Sequence, residues 1–321
     1  MTQPLSQHLY ALEPQYQTRV WGGQKLRSVQ PPVGEAWIAF EDSRVSNGPD
    51  AGRTLGELAR QHGAALLGED VARRFGGRLP LLIKLLDCAD WLSVQVHPND
   101  EQAARLVGPG NYGKTEAWHF LEVDPGATIL AGVKSGTKGE ELARAIRDGT
   151  VLDVSVRREV QVGETVFIPA GTLHALGPGM LLYEVQQLSD TTYRVYDWDR
   201  PASAGRALHI EESVEVTDPE STSTVTPPPQ FSGTGAQTTV TCPFFALDVL
   251  NLDGEALSGD TRGQSAHVLT ATQGAVEVVR GEEHVRLERF DSLLITANAG
   301  AYKVRPAHGS ARVLRARVPT A

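Results

Sequence analysis

Short apolar segments, each closed by Gly, Pro, Asn or Asp, recur along almost the whole of this 321-residue chain. That pattern belongs to barrels and sandwiches of short strands. Helical signals are few. Thr54-Leu-Gly-Glu57 is a capping box leading into Leu58-Ala59-Arg60, and Thr137-Lys-Gly-Glu140 has the same form ahead of Leu142 to Ile146. A third short helix is expected after Asn99 or Asp100. The chain is therefore expected to be mainly β, with a few short helices inserted in its N-terminal half.

At this length one large domain or two ordinary ones can each build a core. Residues 217–237 are rich in Ser, Thr, Pro and Gly, include Pro227-Pro228-Pro229, and lack apolar periodicity, as a linker or surface strap would. The expected division is 1–216, then the strap 217–237, then a strand-rich block 238–321. The two blocks read as versions of one unit, because Gly163 to His174 can be laid over Phe290 to Ala301. Both read as turn, apolar strand and second turn. Ala301 then stands where His174 stands, which makes the second block structural.

The net charge of −9 argues against nucleic acid or an anionic membrane as a partner, since both need a basic face. A small anion remains admissible, because a local group of arginines can oppose the global sign. Two cysteines, Cys88 and Cys242, make no disulfide framework, and Met1 to Pro14 lacks the charged and apolar regions of a secretory signal. No apolar run reaches the length of a membrane span. These features point to the cytoplasm; a monomer or weak homodimer is the expected assembly.

Three segments carry chemistry. In Leu92-Ser93-Val94-Gln95-Val96-His97-Pro98, strand alternation puts Leu92, Val94 and Val96 on one face and Ser93, Gln95 and His97 on the other. A polar row opposite an apolar row meets water, a metal or a ligand. In Gly113 to Phe120, Lys114, Glu116 and Trp118 share a face while His119 points away. Read alone, Lys114 and Glu116 could also be an exposed ion pair of little energetic value. The third segment fits G-x5-P-x-G-x2-H through Gly163, Pro169, Gly171 and His174, with glycines for the turns and a proline fixing φ. Gln95, His97, Glu116 and His174 form a mixed nitrogen and oxygen set suited to a borderline ion such as zinc. Further on, Arg194 and Arg200 could meet an anion, or could form surface salt bridges with Asp190, Asp197 and Asp199.

The G-x5-P-x-G-x2-H element resembles the second motif of the cupin superfamily. Together with Leu92 to Pro98, Gly113-Lys-Thr-Glu116, Gly171-Thr-Leu-His174-Ala and Gln186 to Asp197, it resembles the short bacterial form of the type I mannose-6-phosphate isomerase family. Trp21-Gly22-Gly23 and Gly34-Glu35-Ala36-Trp37 match that family's N-terminal elements. The resemblance implies two cupin-type jelly-roll barrels, the first catalytic and the second degenerate and metal-free. It implies one zinc ion per chain, held by Gln95, His97, Glu116 and His174, and a phosphorylated sugar as substrate. It also implies that Ser93, Lys114, Glu184, Arg194 and Arg200 line the active site, with Trp21 and Glu35 beside the substrate. One departure matters: long forms carry a His just before the active-site lysine, and here that position is Gly113.

The implied reaction interconverts mannose 6-phosphate and fructose 6-phosphate through an enediolate. Lys114, two residues from a ligand on the same face, is the expected proton carrier, with Glu184 as its rival. Arg194 stays protonated and is assigned to the enediolate or the phosphate. Two other classes fit the scaffold: a different cupin enzyme, either an oxygenase using iron or an isomerase of another sugar, and a non-catalytic sugar-binding regulator.

Overall fold

Eight strands recur twice along the chain, in the same order and with the same partners. The structure, a computed structural model, describes residues 5–200 and 206–320. In the first copy the strands are Leu81–Cys88, Val94–Val96, Glu116–Val123, Thr128–Val133, Ser155–Glu159, Thr165–Ile168, His174–Leu176 and Met180–Gln187. In the second they are Ala246–Asp253, Leu257–Asp260, His267–Gln273, Val276–Arg280, Glu283–Leu287, Ser292–Ile295, Ala301–Pro306 and Ser310–Arg317. In each copy the sixth, third, eighth and first strands form one sheet in that order, and the second, seventh, fourth and fifth form the other.

Extra strands lengthen these sheets. Thr224–Thr226 adds to Thr165–Ile168 in the first copy, and Leu9–Leu12 adds to Ser292–Ile295 in the second. Tyr193–Tyr196 pairs with Val94–Val96. The chain is mainly β, as its punctuation predicts. The strand orders are open at both ends, so among the described residues each copy is a pair of sheets and not a closed barrel.

The overlay of the two blocks has a backbone counterpart. Gly163 and Phe290 both take positive φ, 86° and 75°, just before their sixth strands. His174 and Ala301 each open a seventh strand.

Contacts group the chain into two units, residues Tyr16–Ala36 with Leu85–Pro228, and residues 5–15 with Trp37–Lys84 and 229–320. A single division between 216 and 238 does not reproduce them. The N-terminal strand bonds within the second copy's sheet, Leu9 opposite Ile295, and the helices Leu55–His62, Ala64–Leu67 and Glu69–Arg74 belong to that same unit. The strap is also partly ordered as strand, through Thr224–Thr226 and the start of Gly235–Thr241.

Local signals explain most helix starts. Thr54 and Asn99 both form reciprocal capping boxes, ahead of Leu55–His62 and Asp100–Leu106. The Thr137 box does not form. Its hydroxyl donates to the Lys134 carbonyl instead (2.7 Å), and the helix Gly139–Arg147 starts after Lys138 without a side-chain cap. The short helix Ile210–Val216 carried no such signal and was not anticipated. No helix among the described residues is long and apolar enough to cross a membrane.

Each unit has its own core. Trp118, Phe120, Val166, Ile168 and Leu182 pack with Ile129 and Leu176 in the first. Leu269, Ala271, Leu293 and Val313 pack with Val278, Tyr302 and Val304 in the second. Each Val, Leu, Ile or Phe side chain among them contributes roughly 1.5–3 kcal/mol when fully buried. In both cores the apolar face gives way to buried polar residues at one end: Glu116, Glu184 and Gln186 in one, Asp248 and His267 in the other. That polar end is where chemistry is possible.

Candidate metal centre

Three of the expected ligands converge. His97, Glu116 and His174 are 1%, 0% and 0% exposed, and they offer ligand atoms that all lie within 4.8 Å of one another. Glu116 opens its strand and His174 opens another, in the opposite sheet. His97 follows Val94–Val96 directly, held there by the amide of Gly171, which donates to its carbonyl (2.9 Å). Gly171 sits at φ 84°, a turn conformation that favours glycine, and so joins the third motif to the first.

Both imidazoles are fixed in the same tautomer. His97 Nδ1 donates to the Thr191 carbonyl (3.0 Å) and His174 Nδ1 to the Thr172 carbonyl (2.8 Å). A carbonyl can only accept, so the protons are on Nδ1 and the lone pairs of both rings are on Nε2. This is how outer groups orient ligating histidines. His174 Nε2 lies 3.3 Å from Glu116 Oε1, and both atoms are buried with no hydrogen-bond partner. Burial, and then the Lys114 ammonium, push the His174 pKa down to about 3, so its ring is neutral. Neutral imidazoles, a carboxylate and orphaned buried lone pairs fit a divalent cation.

Lys114 completes the cluster. Its Nζ donates to Glu116 Oε2 (2.5 Å) and to His97 Nε2 (2.9 Å), so the pair is buried and not the exposed ion pair of the alternative reading. The amide of Lys114 donates to the Pro98 carbonyl, that of Gly113 to Asp100, and that of Thr115 to Gln187, whose own amide nitrogen also reaches Asp100. Gly113 has no space for a side chain: a Cβ there would stand 2.5 Å from the Asn99 carbonyl carbon. A histidine before this lysine is therefore sterically excluded.

The remaining expected residues divide. Gln95 is in register with His174 on one side and Arg194 on the other, so alternation places it on the His97 face. Glu184 is buried and accepts from Trp118 Nε1 (3.0 Å), and Trp118 in turn stacks edge-on against His174. Ser93 is buried. Arg194 donates to the Ala207 carbonyl (2.9 Å), and its Nε is buried without a partner. Arg200 is tied to Asp197 (3.0 Å), Asp90 (2.8 Å) and the Trp91 carbonyl (2.7 Å). Burial pushes Asp197 up, yet hydrogen bonds from Arg206 and Arg200 outweigh it and hold that carboxyl low. The salt-bridge alternative thus describes Arg200 in this structure. Trp21 lies in the apolar core with Trp118, and Glu35 receives two hydrogen bonds from Arg19. His119 faces Thr165, away from the cluster.

Sequence reasoning missed Gln186. It is directly opposite Glu116, wholly buried, with Oε1 unpartnered. The period of two from Glu184 is the signal that could have found it.

Paired β-sheets with a buried nitrogen and oxygen cluster for a cation define a class, a metal-site β protein of jelly-roll type. Known proteins narrow it. The profile of "Phosphomannose isomerase type I, catalytic domain" matches residues 9–117. Mannose-6-phosphate isomerase of Streptococcus mutans is 37% identical over 88% of this chain and 91% of its own length. Mannose-6-phosphate isomerase ManA of Bacillus subtilis is 35% identical over 91% and 94%. The crystal structure of the Bacillus subtilis mannose 6-phosphate isomerase superposes with a TM-score of 0.84 at 28% identity, covering 97% of this chain and 99% of that one. The chain belongs to the type I mannose-6-phosphate isomerase family.

Proposed function

We propose that this chain is a zinc-dependent aldose–ketose isomerase that interconverts mannose 6-phosphate and fructose 6-phosphate. The observation that carries the proposal is the pair of orphaned buried atoms, Glu116 Oε1 and His174 Nε2, beside the Lys114 ammonium. His97, Glu116, His174 and Gln95 would hold the ion, an assignment that the shared tautomer of the two histidines supports. When bound, a zinc ion would polarise the sugar carbonyl and stabilise negative charge on its oxygen.

The residues of the chain do the rest. From mannose 6-phosphate, a proton leaves C2 and a proton is delivered to C1, while the hydroxyl proton passes from O2 to O1. Lys114 carries a proton in this scheme, since its Nζ already touches two of the proposed ligands. Glu184 is the other candidate, held by Trp118 on the same face of the sheet. Arg194 supplies fixed positive charge to the phosphate or the enediolate, and its unpartnered Nε supports that role. Arg200 would have to exchange an aspartate for a phosphate to share it. Ser93 completes the lining; Trp21 and Glu35 act by supporting it from the core and from the Arg19 pair. Free Cys88 and Cys242 support a reducing, cytoplasmic setting, with the chain acting as a monomer or weak homodimer.

A coupled assay for fructose 6-phosphate formed from mannose 6-phosphate, run before and after chelation, tests the proposal. Turnover should vanish with the chelator and return with zinc. Metal-replete protein without chelator-sensitive turnover would sink it, and bound iron with oxygen consumption would favour an oxygenase.

A further inference from the structure

The matching topology allows the metal cluster to be compared, position by position, with the second copy. Glu116 and His267 each open the third strand, opposite Ile168 and Ile295. Gln186 is opposite Glu116 as Arg317 is opposite His267, and Glu184 is opposite Trp118 as Arg315 is opposite Leu269. His174 pairs with Gln95 as Ala301 pairs with Asp260. Two residues beyond Gln95 is His97; two beyond Asp260 is Arg262.

All six counterparts, Asp260, Arg262, His267, Ala301, Arg315 and Arg317, line one cavity of about 600 Å³. Its size is within the usual range for small-molecule sites, about 300–1,000 Å³. The chemistry of the position is inverted. Where the first copy gathers carboxylates and imidazoles for a cation, the second gathers three guanidiniums. Asp248 lies beneath them, 2% exposed, and accepts from Arg315 (2.9 Å) and Arg317 (3.4 Å). One carboxylate shared by two guanidiniums orients both and leaves positive charge over. The hydroxyl of Ser258 stands in the same wall, while that of Thr261 is spent on the Ala297 carbonyl and the Gly300 amide, and Ala301 keeps the space that His174 fills in the first copy.

We propose that this cavity binds the phosphomonoester group of a small metabolite, so that the second copy is a ligand-binding unit and not only a structural one. Guanidiniums match phosphate oxygens in paired hydrogen bonds, and the Ser258 hydroxyl adds a donor from the same wall. The proposal is independent of the isomerase reading, because it concerns the unit that lacks the triad.

Hydrogen exchange read by mass spectrometry on the full-length protein tests it, since peptides separate this cavity from the metal centre. Inorganic phosphate and glucose 6-phosphate are the probes, with neutral glucose as control. Amides in Leu257–Asp260 and Ser310–Arg317 should exchange several-fold more slowly with either anion. Arg317→Gln should weaken that protection about tenfold, the loss of one charge-assisted contact. Arg262→Gln, at an exposed position safe for folding, should weaken it in the same direction, with isomerase turnover unchanged in both variants. Stronger protection by the ester assigns the site to a phosphorylated metabolite; stronger protection by phosphate assigns it to the free anion. No slowing in these strands, equal slowing by glucose, or undiminished protection in both variants overturns the proposal.

Discussion

His174 Nε2 and Glu116 Oε1 face each other across 3.3 Å from two different sheets, each wholly buried and neither with a hydrogen-bond partner. Leaving such groups unsatisfied costs about 1–3 kcal/mol each. A bound cation removes that cost, so metal and stability should be coupled. Glu116→Gln should lower metal affinity by more than the ~10–100-fold that loss of an outer partner causes. Competition against a chromophoric chelator measures it, and unchanged affinity would remove Glu116 from the ligand set.

Lys114 donates to two members of the triad, so its truncation separates binding from chemistry. Lys114→Ala should retain the metal and lose roughly 10²–10⁴-fold in kcat, the range for a proton-transfer group. Near-normal turnover would shift that role to Glu184.

Gly113 packs against the start of the helix Asp100–Leu106 with no space for a methyl group. Gly113→Ala should therefore destabilise the protein by about 1–3 kcal/mol and displace Lys114. Urea unfolding reads the first effect and kcat the second. A stability change within about 0.5 kcal/mol would mean that the loop yields freely.

Burial, followed by Arg315 and Arg317, pushes the His267 pKa down to about 3. A depressed folded-state value means that the unfolded chain takes up the proton first. The stabilisation is thus complete above pH 6.5 and is lost as the pH falls from 6.5 towards 3, by up to about 1.4 kcal/mol per pH unit. His267→Gln should flatten this part of the stability profile relative to the parent chain. Parallel profiles for the two proteins across that window would contradict the argument.

Much of the site was legible because a period of two needs no knowledge of partners. Ser93, Gln95 and His97 could be grouped from one segment, Lys114 and Glu116 from another, and His119 could be set aside. Which strand lies beside which is a long-range matter, and Gln186 was missed for that reason: only the pairing of Met180–Gln187 with Glu116–Val123 sets it against Glu116. The groups that fix both imidazoles are backbone carbonyls, of Thr172 and Thr191, and no residue type announces them. The grouping of segments into units is a long-range matter as well. Composition marked the strap at 217–237, but nothing local in Leu9–Leu12 tells of a partner almost three hundred residues away.

That distant partnership bears on how the molecule is made. Leu9 pairs with Ile295 and Leu12 with Ser292, so during synthesis the first strand emerges long before its neighbour exists. Its edge stays unpaired until Ser292–Ile295 has been translated, an exposure that invites association with other chains. Assembly of that sheet thus waits for residues 292–295 to be made, and any product that stops within the strap leaves the strand Leu9–Leu12 without this mate.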